Sequence, residues 1–267
     1  MKKYLTALKV CNHRRYEFIS KLQNPLYIPK SLILPSHDII NCGTPRSGST
    51  LLNMIVKKIM EFKCRSLEDY RESDAEYIAQ LNNNVLFKIA KIHHHSPLIK
   101  YRIASGRSLG FFVHRDMRDI LVSMIQKGWI DDLDQFIDSY QLHRLVNTSI
   151  IYGMTRNMVN FSYEELLNDQ GDVINKICEV VDFRLTDEQK DEIISFVSIG
   201  NVKKLIGNEK ENKRSLVGGD RLETSTGLHD NHIFDGRVGK WKDQLSGTHM
   251  KKINTIIRSY NKSFNYL

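Results

Sequence analysis

Glycine and proline are scarce in this chain, 15 and 5 of 267 residues, which excludes collagen-like and Pro/Gly-rich disordered classes. Cysteine is scarcer still. Cys11, Cys42, Cys64 and Cys178 form no C-x-x-C pair and show no zinc spacing. Such wide, irregular spacing fits reduced thiols in a cytoplasmic protein and not a disulfide scaffold. No run of about 18 apolar residues occurs, so no membrane span is expected. The N-terminus is a poor signal peptide: Leu5 to Cys11 is interrupted by Lys9 and followed by His13-Arg14-Arg15. Basic residues are nowhere interleaved with aromatics in a run, so nucleic acid is not an expected partner. Neither an internal repeat nor a low-complexity segment is present.

What is present is a chain that is 41% hydrophobic with a net charge of +8. It can bury a sizeable core as one domain over residues 1–267, and the charge suits a polyanionic ligand. Residues 4–23 read as an amphipathic helix within an N-terminal extension, 1–35. Short apolar runs at 38–42, 85–92, 109–114 and 158–161 read as strands. Helical patterns follow at 51–60, 116–123, 133–152, 164–181, 186–198 and 247–262. Residues 67–83 are polar, with Tyr70 and Tyr77 as occasional anchors. Residues 207–236 have the Gly, Asn, Ser, Thr and Asp content of a mobile loop. Strands alternating with helices predict an α/β fold: a central, mostly parallel sheet covered on both faces. Ligands of such sheets bind beyond the carboxyl ends of the strands.

The most informative segment lies at the first such end. Gly43-Thr44-Pro45-Arg46-Ser47-Gly48-Ser49-Thr50 fits the outline G-x-x-x-x-G-K-[ST], with serine where lysine belongs. Strand, glycine turn and helix together point backbone N–H groups and a helix N-terminus at an anion. Without the lysine, the charge that reaches the outer phosphates of a triphosphate is missing. Arg46 puts a cation back elsewhere in the loop. The loop should hold a phosphate without running ordinary ATP hydrolysis.

Three further segments carry chemistry. Arg115 ends the strand Leu109–His114, and Ser123 follows it by eight residues, two turns into the next helix. An arginine fork and a hydroxyl at that place suit a second phosphate. Asp116, Asp119 and Arg118 read more simply as a helix start with its own ion pairs. The second strand ends in Lys91-Ile92-His93-His94-His95, which offers a cation and a base side by side. In extended chain His93 and His95 share one face. Two histidines with no carboxylate or cysteine nearby make a weak metal site, so no metal is expected. Near the C-terminus, Gly236-Arg237-Val238-Gly239-Lys240-Trp241-Lys242 reads either as a flap over an anion or as a surface turn anchoring the last helix.

In this order the segments resemble the sulfotransferases that use 3′-phosphoadenosine 5′-phosphosulfate (PAPS). Thr44-Pro45-Arg46-Ser47-Gly48-Ser49-Thr50-Leu51-Leu52 resembles the family's 5′-phosphosulfate loop, with arginine as the bacterial and carbohydrate-type variant of its lysine. Arg115 to Ser123 resembles the 3′-phosphate motif. Lys91-Ile92-His93 resembles the Lys-Thr-His segment that carries the base. Phe161-Ser162-Tyr163-Glu164-Glu165-Leu166 resembles a Tyr-Glu-Asp-Leu segment whose tyrosine lies near the adenine. Gly236-x-x-Gly239-x-Trp241-Lys242 matches the C-terminal glycine motif in part, because Phe234-Asp235 replaces its Arg-Lys pair; Arg237 or Lys240 would serve instead.

The resemblance implies a three-layer sandwich like that of the P-loop nucleotidases and a metal-free sulfuryl transfer. It implies PAPS as co-substrate, held by 44–50, Arg115, Ser123, Tyr163, Gly236 and Arg237 or Lys240. His93 would be the base, ahead of His95 and His94, with Arg46 and Lys91 stabilising developing charge. The acceptor would be a hydroxyl or amine on a small molecule, glycan or lipid, with a saccharide or lipid-linked precursor favoured. The rival classes are a P-loop kinase or nucleotidase, which would need lysine at position 49 and a Walker-B aspartate, and a non-catalytic nucleotide-binding protein that keeps the fold.

Overall fold

The computed structural model describes residues 38–64, 67–71, 87–208, 215–217, 220–222 and 236–266. The expected N-terminal helix at 4–23 lies outside them. Five strands form one sheet: β1 (Asp38–Gly43), β2 (Leu67–Arg71), β3 (Phe87–Ile92), β4 (Ser108–His114) and β5 (Met158–Ser162). Their order is β2-β3-β1-β4-β5, and every pairing is parallel. All five carboxyl ends therefore face the same way, and β1 lies at the centre.

Strand alternation sets the two faces. On β1, Ile39 packs in one core cluster while Ile40 and Cys42 pack in another. On β4, Phe111 and Val113 take the first face and Phe112 the second. Helix α1 (Ser49–Lys63) covers the first face, and its Leu52, Ile55 and Ile59 are fully buried. Burial of each such side chain contributes about 1.5–3 kcal/mol. After β3, α2 (Pro97–Ala104) supplies Ile99 and Ile103 to the opposite face. Then α3 (Met117–Gln126), α4 (Leu133–Asp138) and α5 (Gln141–Gly153) follow β4. After β5 come α6 (Tyr163–Asn168), α7 (Gln170–Val180), α8 (Asp187–Val197) and α9 (Ile199–Asn208). Strands β6 (Ser215–Val217) and β7 (Asp220–Leu222) pair antiparallel in a second sheet. The chain closes with α10 (Trp241–Gln244) and α11 (Gly247–Phe264), whose Ile253, Ile257 and Tyr260 pack with α3, α4 and α5.

Several boundaries differ from the sequence reading. The helix expected over 133–152 is two helices, divided where Tyr140 takes φ +67°. The helix expected over 164–181 breaks at Asp169, whose φ and ψ are −123° and 40°. Strand β2 and helix α2 were not expected. An edge strand has only one ladder to satisfy, and its sequence LEDYR lacks the apolar run of a central parallel strand. In the segment expected to be a mobile loop, the described residues complete α9 and pair β6 with β7.

Candidate active site

The turn after β1 is built by its glycines. Gly48 takes φ +100°, and a Cβ there would stand 2.6 Å from the Tyr163 ring, so only glycine fits. Gly48 is also the cap of α1, and no side chain caps that helix start. The helix dipole is thus aimed into the loop with no internal anion to meet it. Arg46 adopts φ +68°, a left-handed conformation that costs a non-glycine residue about 1–3 kcal/mol and clusters at functional sites.

The carboxyl ends of β1, β4 and β5 meet at one cavity. Its walls include Arg46, Gly48, Ser49 and Thr50 from the loop, and Arg115, Ser123 and Tyr163 from the neighbouring segments. Gly236 and Lys240 close it from the C-terminal side, and Leu51, Val197, Ile199 and Val202 give it an apolar part. Both expected anion sites border this cavity, and a side-chain contact links them. Arg46 Nε donates to Ser123 Oγ at 2.9 Å, and its guanidinium lies 5.9 Å from the Trp129 ring centre. Arg115 donates to the carbonyls of Arg46 (3.4 Å) and Arg237 (3.1 Å), and stacks 4.1 Å over Tyr163. Arg115 is 7% exposed, and its buried Nε has no hydrogen-bond partner among the described residues. A buried cation whose hydrogen bonds here go to carbonyls, with an aromatic face beneath it and no ion pair among the described residues, is suited to an anionic ligand.

Of the other expected loop residues, Thr44 is buried and its carbonyl accepts from Ser47 N–H at 3.1 Å, which closes the turn over Pro45. Ser47 Oγ is buried and has no hydrogen-bond partner among the described residues. At the end of β3, Lys91 Nζ donates to Thr50 Oγ1 at 3.3 Å. The three histidines diverge. His93 Nδ1 lies 2.7 Å from the Gly43 carbonyl, His95 packs 6.0 Å from the Tyr152 ring, and His94 is exposed. A carbonyl only accepts, so His93 Nδ1–H donates to it, which in the neutral imidazole puts the lone pair on Nε2.

Behind Arg115, Tyr260 of α11 is fully buried, donates to the Arg115 carbonyl at 2.5 Å and accepts from its N–H at 3.2 Å. Burial pushes the Tyr260 hydroxyl well above the usual phenol range. His114 Nδ1 meets Tyr266 Oη at 2.8 Å, and burial pushes the imidazole down to about 4. Burial also raises the Glu164 carboxyl, to which Tyr266 Oη donates at 3.3 Å.

The C-terminal glycine segment clarifies what the sequence left open. Lys240 is 8% exposed, lines the cavity and donates to Gln126 Oε1 at 3.3 Å. The Arg237 side chain turns to solvent and pairs with Asp243 at 2.6 Å; only its carbonyl faces Arg115. Asp235 lies outside the described residues. The helix-start reading holds for Asp116, which caps α3 and pairs with Arg118 at 2.6 Å. Asp119 lies in the first turn of α3 as expected, and its carboxylate also accepts from the N–H groups of Gly239 (2.7 Å) and Trp241 (3.2 Å). Arg118 also stacks 3.9 Å from the Trp241 ring centre, so Trp241 anchors the segment as well as the helix start. Nothing local signalled Asp119 or Tyr260, whose partners lie over a hundred residues away. Among the described residues, no group of three His, Cys, Asp or Glu side chains could hold a metal, and no helix is long and apolar enough to cross a membrane.

Fold and site thus define a phosphate-loop α/β protein with two linked cation sites and no Walker lysine. A family model described as a sulfotransferase domain matches residues 36–265, and the chain belongs to that family, the enzymes that transfer a sulfuryl group from PAPS. No curated protein is a significant match. Among solved structures, mouse sulfotransferase SULT7A1 complexed with PAP is similar, at 11% identity and TM-score 0.65 over 86% of this chain and 89% of that one. Retinol dehydratase in complex with retinol and PAP is similar at 17% identity and TM-score 0.61, and its complex with androsterone and the inactive cofactor PAP at 16% and 0.60. Both cover 86% of this chain and 82% of theirs. At these identities the likeness shows the fold.

Proposed function

We propose that the cavity at the ends of β1, β4 and β5 binds PAPS, and that the chain passes its sulfuryl group to a hydroxyl on a saccharide or lipid-linked precursor. The observation that carries this is the convergence of Arg46, Arg115, Ser123, Tyr163 and Lys240 on one cavity beside an uncapped helix start. The residues fit the ligand: a loop for the 5′-phosphosulfate, an arginine with an unengaged Nε for the 3′-phosphate, and an apolar wall for the base. When bound, PAPS supplies an activated sulfuryl group on a phosphate leaving group.

The protein's part is positioning and charge. Loop residues 44–50 and the α1 dipole orient the 5′ end. Arg115 and Ser123 take the 3′-phosphate, and Tyr163 borders the nucleoside while its ring backs Arg115. Lys240, in the cavity wall, stands in for the family's missing Arg-Lys pair. Lys91, held on Thr50, stabilises charge on the leaving oxygen, and Arg46 bridges both ends. His93, its Nδ1–H fixed on Gly43, takes the acceptor proton at Nε2. These roles need no metal, and the wide, irregular cysteine spacing of the sequence suits a cytoplasmic setting.

A transfer assay with labelled PAPS in the presence of a chelator, across saccharides, lipid-linked sugars and small alcohols, tests the reaction. Retinol and androsterone belong in the panel because both occupy retinol dehydratase. His93→Asn should lower the rate by about 10²–10⁴-fold with nucleotide affinity unchanged. A near-normal rate would remove His93 as the base, and a large loss at His95 instead would move the role by two residues. Calorimetry should show tight binding of 3′-phosphoadenosine 5′-phosphate (PAP) and weak binding of ATP. Equal affinity, or a Mg²⁺-dependent preference for ATP, would favour the kinase class.

A further inference from the structure

A carboxylate lines the cavity that must take several negative charges. Asp119 is 1% exposed and borders the same space as Arg46, Arg115, Ser123 and Lys240. Left unengaged, it would oppose phosphate binding at short range. Both of its oxygens are engaged, by main-chain donors two residues apart: Oδ2 accepts from Gly239 N–H at 2.7 Å and Oδ1 from Trp241 N–H at 3.2 Å. Gly239 sits at φ +79° and Lys240 is right-handed helical, at φ −57° and ψ −29°. Alternation of the two hands makes successive N–H groups converge into an anion-binding concavity. In this chain that concavity is filled by Asp119.

We infer that Asp119 is the positioning residue that holds the Gly236–Trp241 segment, and with it Lys240, in the wall of the nucleotide cavity. Lys240 lies between the two anchored N–H groups, so its backbone is fixed where its side chain reaches Gln126 over the cavity. Upstream, the same segment offers the Arg237 carbonyl to Arg115 at 3.1 Å and the Gly236 carbonyl to the Tyr163 hydroxyl at 3.4 Å. Asp119 gives the segment its one charged acceptor among these contacts. Charge-assisted bonds of this kind are about twice as strong as neutral ones. The segment is accordingly seated before any nucleotide arrives. The inference rests on the nucleotide reading of the cavity only for its effect on affinity; the anchoring itself is independent of it.

The sign of one substitution separates this role from bystander electrostatics. Asp119→Asn keeps the volume, removes a negative charge from the cavity, and turns an amide NH₂ towards an N–H donor. If charge alone mattered, PAP would bind more tightly. If Asp119 positions the segment, PAP binding by calorimetry should weaken about ten- to hundred-fold, the factor one charge-assisted hydrogen bond carries. The KM for PAPS should rise with kcat nearly unchanged, because His93 and Lys91 are untouched. Amide hydrogen exchange read residue by residue by NMR gives the direct measure. Without nucleotide, the Gly239 and Trp241 amides of the wild-type chain should be protected. In Asp119→Asn they should exchange faster, while amides of α11 keep their wild-type rates. Unprotected Gly239 and Trp241 amides in the wild type, or tighter or unchanged PAP binding in the variant, would overturn the inference. Wild-type protein that fails to bind PAP at all would instead overturn the nucleotide reading, and the exchange data would still decide the anchor.

Discussion

Arg102 and Arg115 are both buried against the central sheet, at opposite ends of it, and the chain treats them in opposite ways. Arg102 stands at the amino ends of β1 and β4. It is fully buried, pairs with Asp38 at 2.6 Å and donates through Nε to Ser108 Oγ at 3.1 Å. Arg115 stands at the carboxyl end of β4. It has no carboxylate partner among the described residues, and its Nε is unengaged. The first arginine is charge-matched within the protein and belongs to the fold. The second has no ion pair among the described residues and meets Glu164 only through space, and a buried cation held that way marks where an anion binds. Burial alone does not separate a structural arginine from a binding one; the identity of the acceptors does.

The largest effect should come from breaking the structural pair. Asp38→Ala removes the carboxylate that balances the Arg102 guanidinium in the core and should cost about 3–5 kcal/mol of stability, read by denaturant unfolding. Arg115→Ala should cost about 1 kcal/mol without ligand, since it breaks no ion pair among the described residues and loses only a through-space attraction to Glu164. An equal loss at both sites would break the comparison and make Arg115 a structural residue.

His114 sharpens it next, because it directly precedes Arg115 and could add a second cation there. Burial prevents that by lowering its folded pKa from 6.5 to about 4. Between those values the unfolded chain takes up a proton and the folded chain does not. The contribution is fully present above pH 6.5 and is lost as the pH falls to about 4, on the order of 3 kcal/mol in total. Glu164 acts with the opposite sign: its folded carboxyl keeps its proton to higher pH than the unfolded one, so acidification favours the fold. The clean readout is therefore a difference. In His114→Asn an amide N–H stands in for the Nδ1 donor towards Tyr266, whose own hydroxyl proton goes to Glu164. The stability gap between wild type and this variant should shrink steadily as the pH falls through that window. A gap that stays constant would show that His114 is not held neutral.

Arg115 and Ser123 set the scale within the carboxyl-end site. Arg115→Ala should weaken PAP binding by about 1.5–3 kcal/mol, and Ser123→Ala by about 1 kcal/mol, because a charged fork outweighs a neutral hydroxyl. Unchanged affinity in a folded Arg115→Ala protein would remove the 3′-phosphate assignment.

Much of this end of the sheet is legible in the chain because it is built locally. The Gly43–Thr50 loop is readable from two glycines between a strand and a helix, and Arg115 from its place at a strand end. Ser123 follows from helix geometry two turns further on. What is not legible is made by distant partners. Asp119 looks like any acidic residue in a helix's first turn until Gly239 and Trp241 fold onto it. Tyr260 is one aromatic on an amphipathic helix until its hydroxyl meets the Arg115 backbone. Arg102 and Asp38 carry no pattern that pairs them across 64 positions. The apolar wall runs from Val197, at the end of the expected helix, into Ile199 and Val202 of α9, a helix the sequence reading did not expect. Tertiary contact decides each of these, and a single sequence does not print it.

The smallest expected effect discriminates the two cations of the C-terminal segment. Sequence alone leaves Arg237 and Lys240 equivalent, since each could replace the family's missing pair. The structure separates them: the Arg237 guanidinium is exposed and tied to Asp243, whereas Lys240 is buried in the cavity wall. Exposed ion pairs contribute about 0–1 kcal/mol, so Arg237→Ala should change PAP affinity by no more than about twofold. Its carbonyl, which meets Arg115, survives the substitution. Lys240→Ala should lower affinity by about 1 kcal/mol or somewhat more, the scale of one charged hydrogen bond to a partly solvated phosphate. Calorimetry on the two variants at one ionic strength checks this. A larger loss at Arg237 than at Lys240 would mean that the segment turns over when nucleotide binds, exchanging the Asp243 pair for a phosphate.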